Sequence, residues 1–117
     1  MAESIARSIG GDRVRACSAG LAPAGFIAEP TIRTLEVMGY SGDGLHSKGV
    51  DEIDDSSVDL VISLLGDTGL NALPFDFGAR GEAWPIRDPF GEDETFYLHV
   101  GRQIEARVRD MLAEELD

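Results

Sequence analysis

The sequence is poor in cysteine and lysine and contains no long apolar run. Cys17 is the only cysteine and Lys48 the only lysine. A single cysteine excludes an intramolecular disulfide and a zinc site built from cysteines. No stretch reaches the roughly 18 consecutive apolar residues of a membrane-spanning helix, and no segment has the pattern of a secretory signal. We therefore expect a cytoplasmic protein that contacts no membrane.

Histidine and glycine patterns argue against a metal or nucleotide site. His46 and His99 are far apart in the sequence and have no ligand-type spacing. The 14 glycines form neither the G-x-G-x-x-G turn of dinucleotide-binding folds nor a P-loop. We therefore predict that the protein binds no metal ion and uses no cofactor.

Acidic residues dominate the charge. The chain has 22 Asp and Glu against ten Lys and Arg, which gives a formal net charge of −12. A surface this negative repels nucleic acids and anionic membranes, so we expect no nucleic-acid partner. A solubilising surface is the more general explanation of the charge, and adaptation to a saline cytoplasm is the alternative.

Apolar and amphipathic segments alternate along the 117 residues, which is typical of βα units in one domain. From about Asp93 onward, apolar residues recur at helical spacing and predict a long helix. The run 58–65 is almost continuously apolar, as in a strand buried on both faces. We expect a single α/β domain over residues 1–117, a three-layer arrangement in which helices flank a small parallel sheet. The other predicted elements are a helix near the N-terminus, a strand at 14–20, a helix at 30–39 and a weak strand at 82–86.

The first helix poses a question, because it has no room for a capping residue. Ala2, Ile5 and Ile9 share one face, and Gly10 with Gly11 forms the stop, so Met1 occupies the cap position. In a βα fold the first helix follows a strand. We therefore expect that strand to precede Met1.

Five local signatures in this order resemble the low-molecular-weight protein tyrosine phosphatases and the related thioredoxin-coupled arsenate reductases. They are "MAE" at the start of a helix, "SAG" after a strand, "GLHSKGV", the buried strand "VDLVISL" and "WPIRDPFG" before the last helix. The resemblance covers nearly the whole chain and implies the α/β fold of that family. In the family, a C-x5-R-S loop binds an oxyanion, its cysteine thiolate attacks phosphorus, and an aspartic acid in a D-P turn protonates the leaving group.

The resemblance assigns roles to two residues. Asp88, followed by Pro89, matches the general acid, although an Asp-Pro pair is also an ordinary turn. Ser18 matches the hydroxyl that supports the phosphate loop, and an ordinary Ser-Ala-Gly turn explains it equally well. We expect a structural role for the segment 46–48, a solvated Lys48, and Trp84 and Phe90 either as walls of a cleft or as core residues.

The phosphate loop is the decisive departure from the family. No Cys or Ser lies six residues before any arginine. Cys17 is predicted to be a buried thiol within the strand 14–20. Leu65 and Ala72 stand near the positions where the arsenate reductases carry further redox cysteines. We therefore expect a phosphatase-family domain that is inactive as given, either because residues precede Met1 or because the loop was lost. The alternative is a non-catalytic interaction or regulatory module, and an arsenate reductase is the last choice.

In the family that the chain resembles, the first strand lies in the middle of the sheet, so its absence has a physical consequence. The strands expected at 14–20 and 58–65 would both present unpaired backbone groups to a gap, and unpaired amides and carbonyls are costly to bury. We therefore expect a rearranged sheet or an intimate homodimer.

Overall fold

The computed structural model describes residues 1–20, 25–54, 58–73 and 80–116. Along the chain, the elements are α1 (Ala2–Gly10), α2 (Glu29–Met38), β1 (Leu60–Ser63), α3 (Asp67–Asn71), β2 (Arg80–Ala83) and α4 (Glu94–Glu115). Short 3₁₀ turns at Gly11–Arg13 and Val50–Glu52 complete the described elements. The predicted α/β class with a small parallel sheet is confirmed. The chain divides into two compact units, 1–18 with 26–46 and 88–117, and 19–25 with 47–87.

Helices α1, α2 and α4 form the first unit and pack around an apolar core. The spacing that predicts the last helix is confirmed, because one side of α4 is buried along most of its length. Asp93 caps α4 by accepting a hydrogen bond from the Phe96 N–H at 2.9 Å. The core of this unit consists of Ile5, Leu35, Tyr97, Val100, Ile104, Val108 and Leu112.

The ends of α1 and α2 follow their sequence signals. No side chain caps α1, and Met1 stands at the cap position as predicted. Pro30 lies in the first turn of α2, and Gly39 ends the helix with a φ of 88°. This left-handed conformation costs glycine little, which explains the stop at this position.

The second unit contains the two-stranded parallel sheet and α3. Leu60 pairs with Arg80 and Ser63 with Ala83 in the register. The apolar run 58–65 thus contributes only four strand residues, and all four are half-buried. The prediction of a strand buried on both faces is therefore wrong. Within the described residues, the ladder of this strand pairs with β2.

The weak strand predicted at 82–86 is displaced toward the N-terminus. β2 ends at Ala83, although the Trp84 N–H still donates to the Ser63 carbonyl at 2.8 Å. Pro85, which has no N–H, makes only an isolated bridge with Leu65. Helix α3 was not predicted, because its five residues are too few for a periodic apolar pattern.

The strand predicted at 14–20 is absent. Residues 14–19 form no ladder, and only Gly20 makes a single parallel bridge, with Gly49. Side chains of α1 hold this segment where a neighbouring strand was expected, since Arg7 donates to the Ala16 carbonyl at 3.1 Å. Because residues 14–19 do not form a strand, the predicted gap between two strands is not observed. The expected homodimer stays a prediction.

Candidate active site

Asp88 lies in the connection between β2 and α4, five residues beyond the end of the strand. Its carboxylate is exposed, and Oδ1 accepts a hydrogen bond from the Phe90 N–H at 3.0 Å. This is the local bond by which Asp commonly stabilises a turn, and Pro89 restricts the backbone between the two residues. The turn thus holds an accessible carboxylate in a fixed direction, which a general acid requires.

Two aromatic rings stand close to this turn. Phe90 is 63% exposed and Phe26 is 57% exposed, and their ring centroids lie 6.4 Å apart at an interplanar angle of 56°. The two exposed rings together form a small apolar patch beside the turn. Of the two residues predicted as cleft walls or core, Trp84 is buried, at 3% exposure, and Phe90 is exposed. Phe26 has no sequence signature and was not predicted.

Asp88 interacts electrostatically with Tyr97, which lies in the first turn of α4. Burial raises the pKa of the Tyr97 phenol, and the neighbouring carboxylate of Asp88 raises the pKa further. A negative charge disfavours the phenolate, so the phenol stays protonated beside the carboxylate. Tyr97 is therefore a buried, neutral phenol that interacts electrostatically with Asp88.

Ser18 is positioned by the first turn of α1. Its hydroxyl donates to Glu3 Oε1 at 2.7 Å. Glu3 is only 5% exposed, and its Oε2 accepts from Arg7 at 2.6 Å. Arg7 in turn binds the carbonyl of Ala16, so the helix side chains hold residues 16–18 from two directions. The "MAE" signature contains Glu3, and the i, i+4 spacing of Glu3 and Arg7 was the available signal for this network.

Cys17 lies between these two anchored residues, and its thiol is exposed. The prediction of a buried structural thiol is therefore wrong. The error follows from the absent strand, since a residue inside a sheet would have been covered on at least one side.

The positions compared with reductase cysteines flank α3. Leu65 precedes the helix and is 63% exposed, and Ala72 follows its last residue. Neither side chain can form a thiolate, and Cys17 is the only cysteine in the sequence. The chain therefore cannot form a disulfide within itself.

The segment 46–48 makes hydrogen bonds with nearby loop residues. The Ser47 hydroxyl accepts from the Gly25 N–H at 3.0 Å, and the Lys48 carbonyl accepts from the Gly20 N–H at 2.9 Å. His46 is exposed, with Nδ1 3.3 Å from the Gly44 carbonyl. Lys48 is half-buried, not fully solvated as expected.

Ser18 bonds to Glu3, and Asp88 bonds to Phe90. Among the described residues, no hydrogen bond or ion pair joins the Ser18–Glu3 pair to the Asp88–Phe90 pair. Within the same residues, no three His, Cys, Asp or Glu side chains cluster in a way that could hold a metal ion. No helix of the described part is long and apolar enough to cross a bilayer.

The family model for low molecular weight phosphotyrosine protein phosphatases matches residues 1–117. The chain belongs to this family. A curated relative, the glutaredoxin arsenate reductase of Synechocystis, is 30% identical over 115 residues, which cover 97% of this chain and 86% of that protein. The chain is thus also similar to a protein that is named for arsenate reduction.

Solved structures of the family show the same fold. The arsenate reductase of Archaeoglobus fulgidus is 28% identical, with a TM-score of 0.81 over 96% of this chain and 87% of that chain. The low molecular weight protein tyrosine phosphatase of T. tengcongensis is 16% identical, with a TM-score of 0.80 over 97% and 88%. The phosphatase likeness supports the fold alone, whereas the sequence likeness is greater toward the reductases.

Proposed function

We propose that this domain supplies the general acid of a phosphatase active site. Asp88 is that acid, and the reaction is the hydrolysis of aryl phosphomonoesters such as protein phosphotyrosine. The observation that carries the proposal is the exposed carboxylate, fixed by the Phe90 N–H beside the Phe26–Phe90 pair. The rings suit an aryl leaving group, and the carboxylic acid protonates its oxygen as the ester bond breaks. The family membership supports this reaction class.

The nucleophilic side of such a reaction is not among the 117 residues. A cysteine thiolate must attack phosphorus, and an arginine must hold the equatorial oxygens, before proton donation has any effect. No C-x5-R sequence is present, and the exposed Cys17 is followed six residues later by Pro23. We infer that the 117-residue polypeptide on its own does not hydrolyse phosphate esters.

The test compares the 117-residue chain with a version that carries a family-type strand and C-x5-R loop ahead of Met1. The short chain is expected to release no p-nitrophenol above buffer, and the extended chain to hydrolyse p-nitrophenyl phosphate. In the extended chain, Asp88→Asn is expected to lower kcat by about 10²–10⁴-fold, most strongly for esters with poor leaving groups.

Asp93→Asn is the matched control, because an asparagine there can still cap α4. Its kcat should stay close to that of the parent chain. If Asp88→Asn and Asp93→Asn behave alike with poor leaving groups, Asp88 is not the general acid. Hydrolysis by the short chain that disappears in Cys17→Ser would contradict the inferred inactivity.

Arsenate reduction is the second candidate, favoured by the 30% identity to the Synechocystis enzyme and the 28% identity to the Archaeoglobus enzyme. Reduction of arsenate to arsenite needs two electrons, which two thiols supply when they form a disulfide. The 117 residues contain one cysteine, so the second thiol must come from residues ahead of Met1 or from another molecule. Arsenite formation by the extended chain with glutathione and glutaredoxin, without p-nitrophenyl phosphate hydrolysis, would favour this candidate over the first.

A non-catalytic interaction module is the alternative from a different class. It predicts that the extended chain is inactive toward both substrates while its helices and sheet are intact by circular dichroism. A cytoplasmic location is part of the proposal, because a reducing compartment keeps a nucleophilic cysteine as a free thiol.

A further inference from the structure

An exposed surface of the first unit combines two aromatic rings with acidic side chains. Phe26 and Phe90 supply the rings, which are 57% and 63% exposed with centroids 6.4 Å apart. Glu29 lies three residues after Phe26, and Glu92 and Glu94 follow Phe90; all three are exposed. We call these five residues the acidic aromatic surface. Because the rings are proposed to receive the aryl group of a substrate, the acidic residues meet what lies beside that group.

Arg33 joins the two halves of this surface. Its guanidinium nitrogens lie 2.8 Å from Glu29 Oε1 and 2.8 Å from Glu94 Oε1. These contacts connect the first turn of α2 to the first turn of α4. One positive charge is shared between two carboxylates, so Arg33 orders the acidic groups without neutralising both of them.

The region around the rings has an excess of negative charge. Residues 26–33 and 87–94 contain five acidic residues and two arginines, which gives a formal charge of −3. Asp93 contributes least of the five, because its carboxylate accepts a hydrogen bond at the positive N-terminus of α4. The whole chain, with a net charge of −12, adds to this negative potential rather than opposing it.

Two interactions favour a cationic neighbour of the aryl group. Lysine and arginine side chains are attracted by the carboxylates of Glu29, Glu92 and Glu94. The same cations are attracted by the faces of exposed aromatic rings such as those of Phe26 and Phe90. Acidic side chains are repelled by the carboxylates and gain nothing from the rings. A second copy of this chain carries the same negative charge, so it is a poor occupant of this surface.

We propose that the acidic aromatic surface selects protein substrates in which the phosphotyrosine is flanked by lysine or arginine. The proposal rests on the proposed function, since it concerns the residues beside the aryl group whose ester bond breaks with the help of Asp88. The phosphotyrosine ring contacts Phe26 and Phe90, and the flanking cations bind the carboxylates. Such charges act on association and on the choice of partner, so we expect their effect in kcat/KM rather than in kcat.

Peptide binding to the 117-residue chain tests the surface without catalysis. The probe is a seven-residue peptide with a central tyrosine and two lysines at each end, and the charge-reversed probe has glutamates in place of the lysines. NMR titration of the ¹⁵N-labelled chain follows the amide signals of Phe26 and Phe90. In about 0.1 M NaCl we expect the lysine peptide to bind at least about tenfold more tightly. In about 1 M NaCl this preference should fall to within about threefold, because the screening length drops from about 10 Å to about 3 Å.

Two double variants with the same change of charge locate the effect. Glu29→Gln with Glu94→Gln removes two carboxylates of the surface and should reduce the preference for the lysine peptide by at least about fourfold. Asp110→Asn with Glu114→Gln removes two carboxylates from the C-terminal half of α4 and should change the preference by less than about twofold. At about 1.5 Å per residue, Asp110 lies about 24 Å beyond Glu94 on α4, more than twice the screening length in about 0.1 M NaCl. Circular dichroism verifies that both variants are folded.

Hydrolysis by the extended chain separates this proposal from the proposed function. With phosphotyrosine in both peptides, kcat/KM should be at least about tenfold higher for the lysine peptide in about 0.1 M NaCl. If the extended chain hydrolyses p-nitrophenyl phosphate but treats both phosphopeptides alike, the proposed function stands and the selection of basic substrates is wrong. If it does not hydrolyse p-nitrophenyl phosphate, the proposed function fails, and the titration of the 117-residue chain still decides whether the surface prefers the basic peptide.

Three outcomes of the titration would overturn the proposal. They are equal affinity of both peptides in about 0.1 M NaCl, an equal effect of the two double variants, and signal changes that leave Phe26 and Phe90 unaffected. The comparison of the two peptides on the unaltered chain does not depend on any variant.

Discussion

Glu3 controls what the Ser18 hydroxyl can do. A serine hydroxyl has one proton to donate, and here that proton is directed to the buried carboxylate of Glu3. The oxygen of Ser18 is then left with lone pairs alone, so it can accept from an N–H or O–H but cannot donate to an oxyanion. This favours the role in which Ser18 supports a phosphate-binding loop rather than one in which it binds phosphate directly.

A double-mutant cycle between Glu3 and Ser18 tests this bond. Ser18→Ala is expected to lower the free energy of unfolding by about 1.5–3 kcal/mol, the usual range for a hydrogen bond to a charged group. The loss should be smaller in a Glu3→Gln background, because the charge that strengthens the bond is gone. Urea unfolding of the four proteins gives the coupling energy.

Ser8→Ala serves as the control, since Ser8 is an exposed residue on the same helix. We expect a change within about 0.5 kcal/mol there. Additive effects of Glu3→Gln and Ser18→Ala would show that the two side chains do not interact in solution.

Individual residues were predictable where the signal is local. The cap at Asp93, the stop at Gly39 and the turn at Asp88 follow from backbone preferences that each residue type carries. The Glu3–Ser18 bond joins residues 15 positions apart, which no local pattern encodes. The exposure of Cys17 depends on whether its segment pairs in a sheet, which is also not a local property.

At the scale of elements, a polar contact ties the end of α2 to the middle of α4. The Tyr40 hydroxyl donates to Glu105 Oε2 at 2.5 Å, and Arg102 lies 3.3 Å from the other carboxylate oxygen. The hydrogen bond from Tyr40 is the main cause that lowers the pKa of Glu105. Burial, followed by the Glu105 carboxylate, raises the pKa of the Tyr40 phenol.

These shifts predict how stability depends on pH. A lowered carboxyl pKa stabilises the fold above the ordinary glutamate value of 4.5, and this contribution is lost as the pH falls through the pKa of the folded state. A raised phenol pKa stabilises the fold below pH 10.0, and this contribution is lost as the pH rises through the folded-state value. Tyr40→Phe should lower the free energy of unfolding by about 1.5 kcal/mol at pH 7. It should also reduce the loss of stability both at acidic pH, the acid limb of the profile, and at alkaline pH, the alkaline limb.

Urea unfolding between pH 3 and 11 measures the two limbs. Tyr97→Phe is the matched control, because the pKa of Tyr97 is also raised but Tyr97 does not bond to Glu105. It should flatten the alkaline limb alone. An acid limb that is the same with and without the Tyr40 hydroxyl would show that Tyr40 does not set the Glu105 pKa.

The helices were more predictable than the strands. The apolar spacing in α4 and the residue preferences at the ends of α2 are properties of the elements themselves. A strand depends on the neighbour that accepts its hydrogen bonds. The segment 14–20 resembled a strand in composition but is held by Arg7. The run 58–65 resembled a central strand, and in the part of the chain that the structure describes its ladder pairs with β2 alone.

At the scale of the whole molecule, the ordered set of five signatures identified the family, and the match to residues 1–117 confirms it. No single signature was specific, but their order along the chain reflects the order of elements in the fold. The substrate was not predictable in the same way, because fold and function vary independently within a family. The relatives include both arsenate reductases and a tyrosine phosphatase.

The net charge of −12 is a property of the whole molecule with a direct consequence for stability. Folding brings the carboxylates together, so their mutual repulsion opposes the compact state. Salt shortens the range of this repulsion, from about 10 Å at 0.1 M to about 3 Å at 1 M. We expect the free energy of unfolding to rise by about 1 kcal/mol over this range, which corresponds to a Tm increase of about 4 °C. Differential scanning calorimetry in a series of NaCl concentrations measures it.

Two controls distinguish the screening of charge repulsion from a general stabilising effect of a cosolute. The first is a neutral sugar, and the second is a variant with fewer acidic groups. Glu36, Asp110 and Glu114 are exposed and lie toward the C-terminal ends of α2 and α4, where a negative charge also opposes the helix dipole. Glu36→Gln, Asp110→Asn and Glu114→Gln together reduce the charge from −12 to −9, since three acidic groups are lost. The triple variant should have a higher Tm in low salt and a shallower rise with NaCl. If its salt dependence equals that of the parent chain while sucrose produces the same stabilisation, charge repulsion is not what the salt relieves.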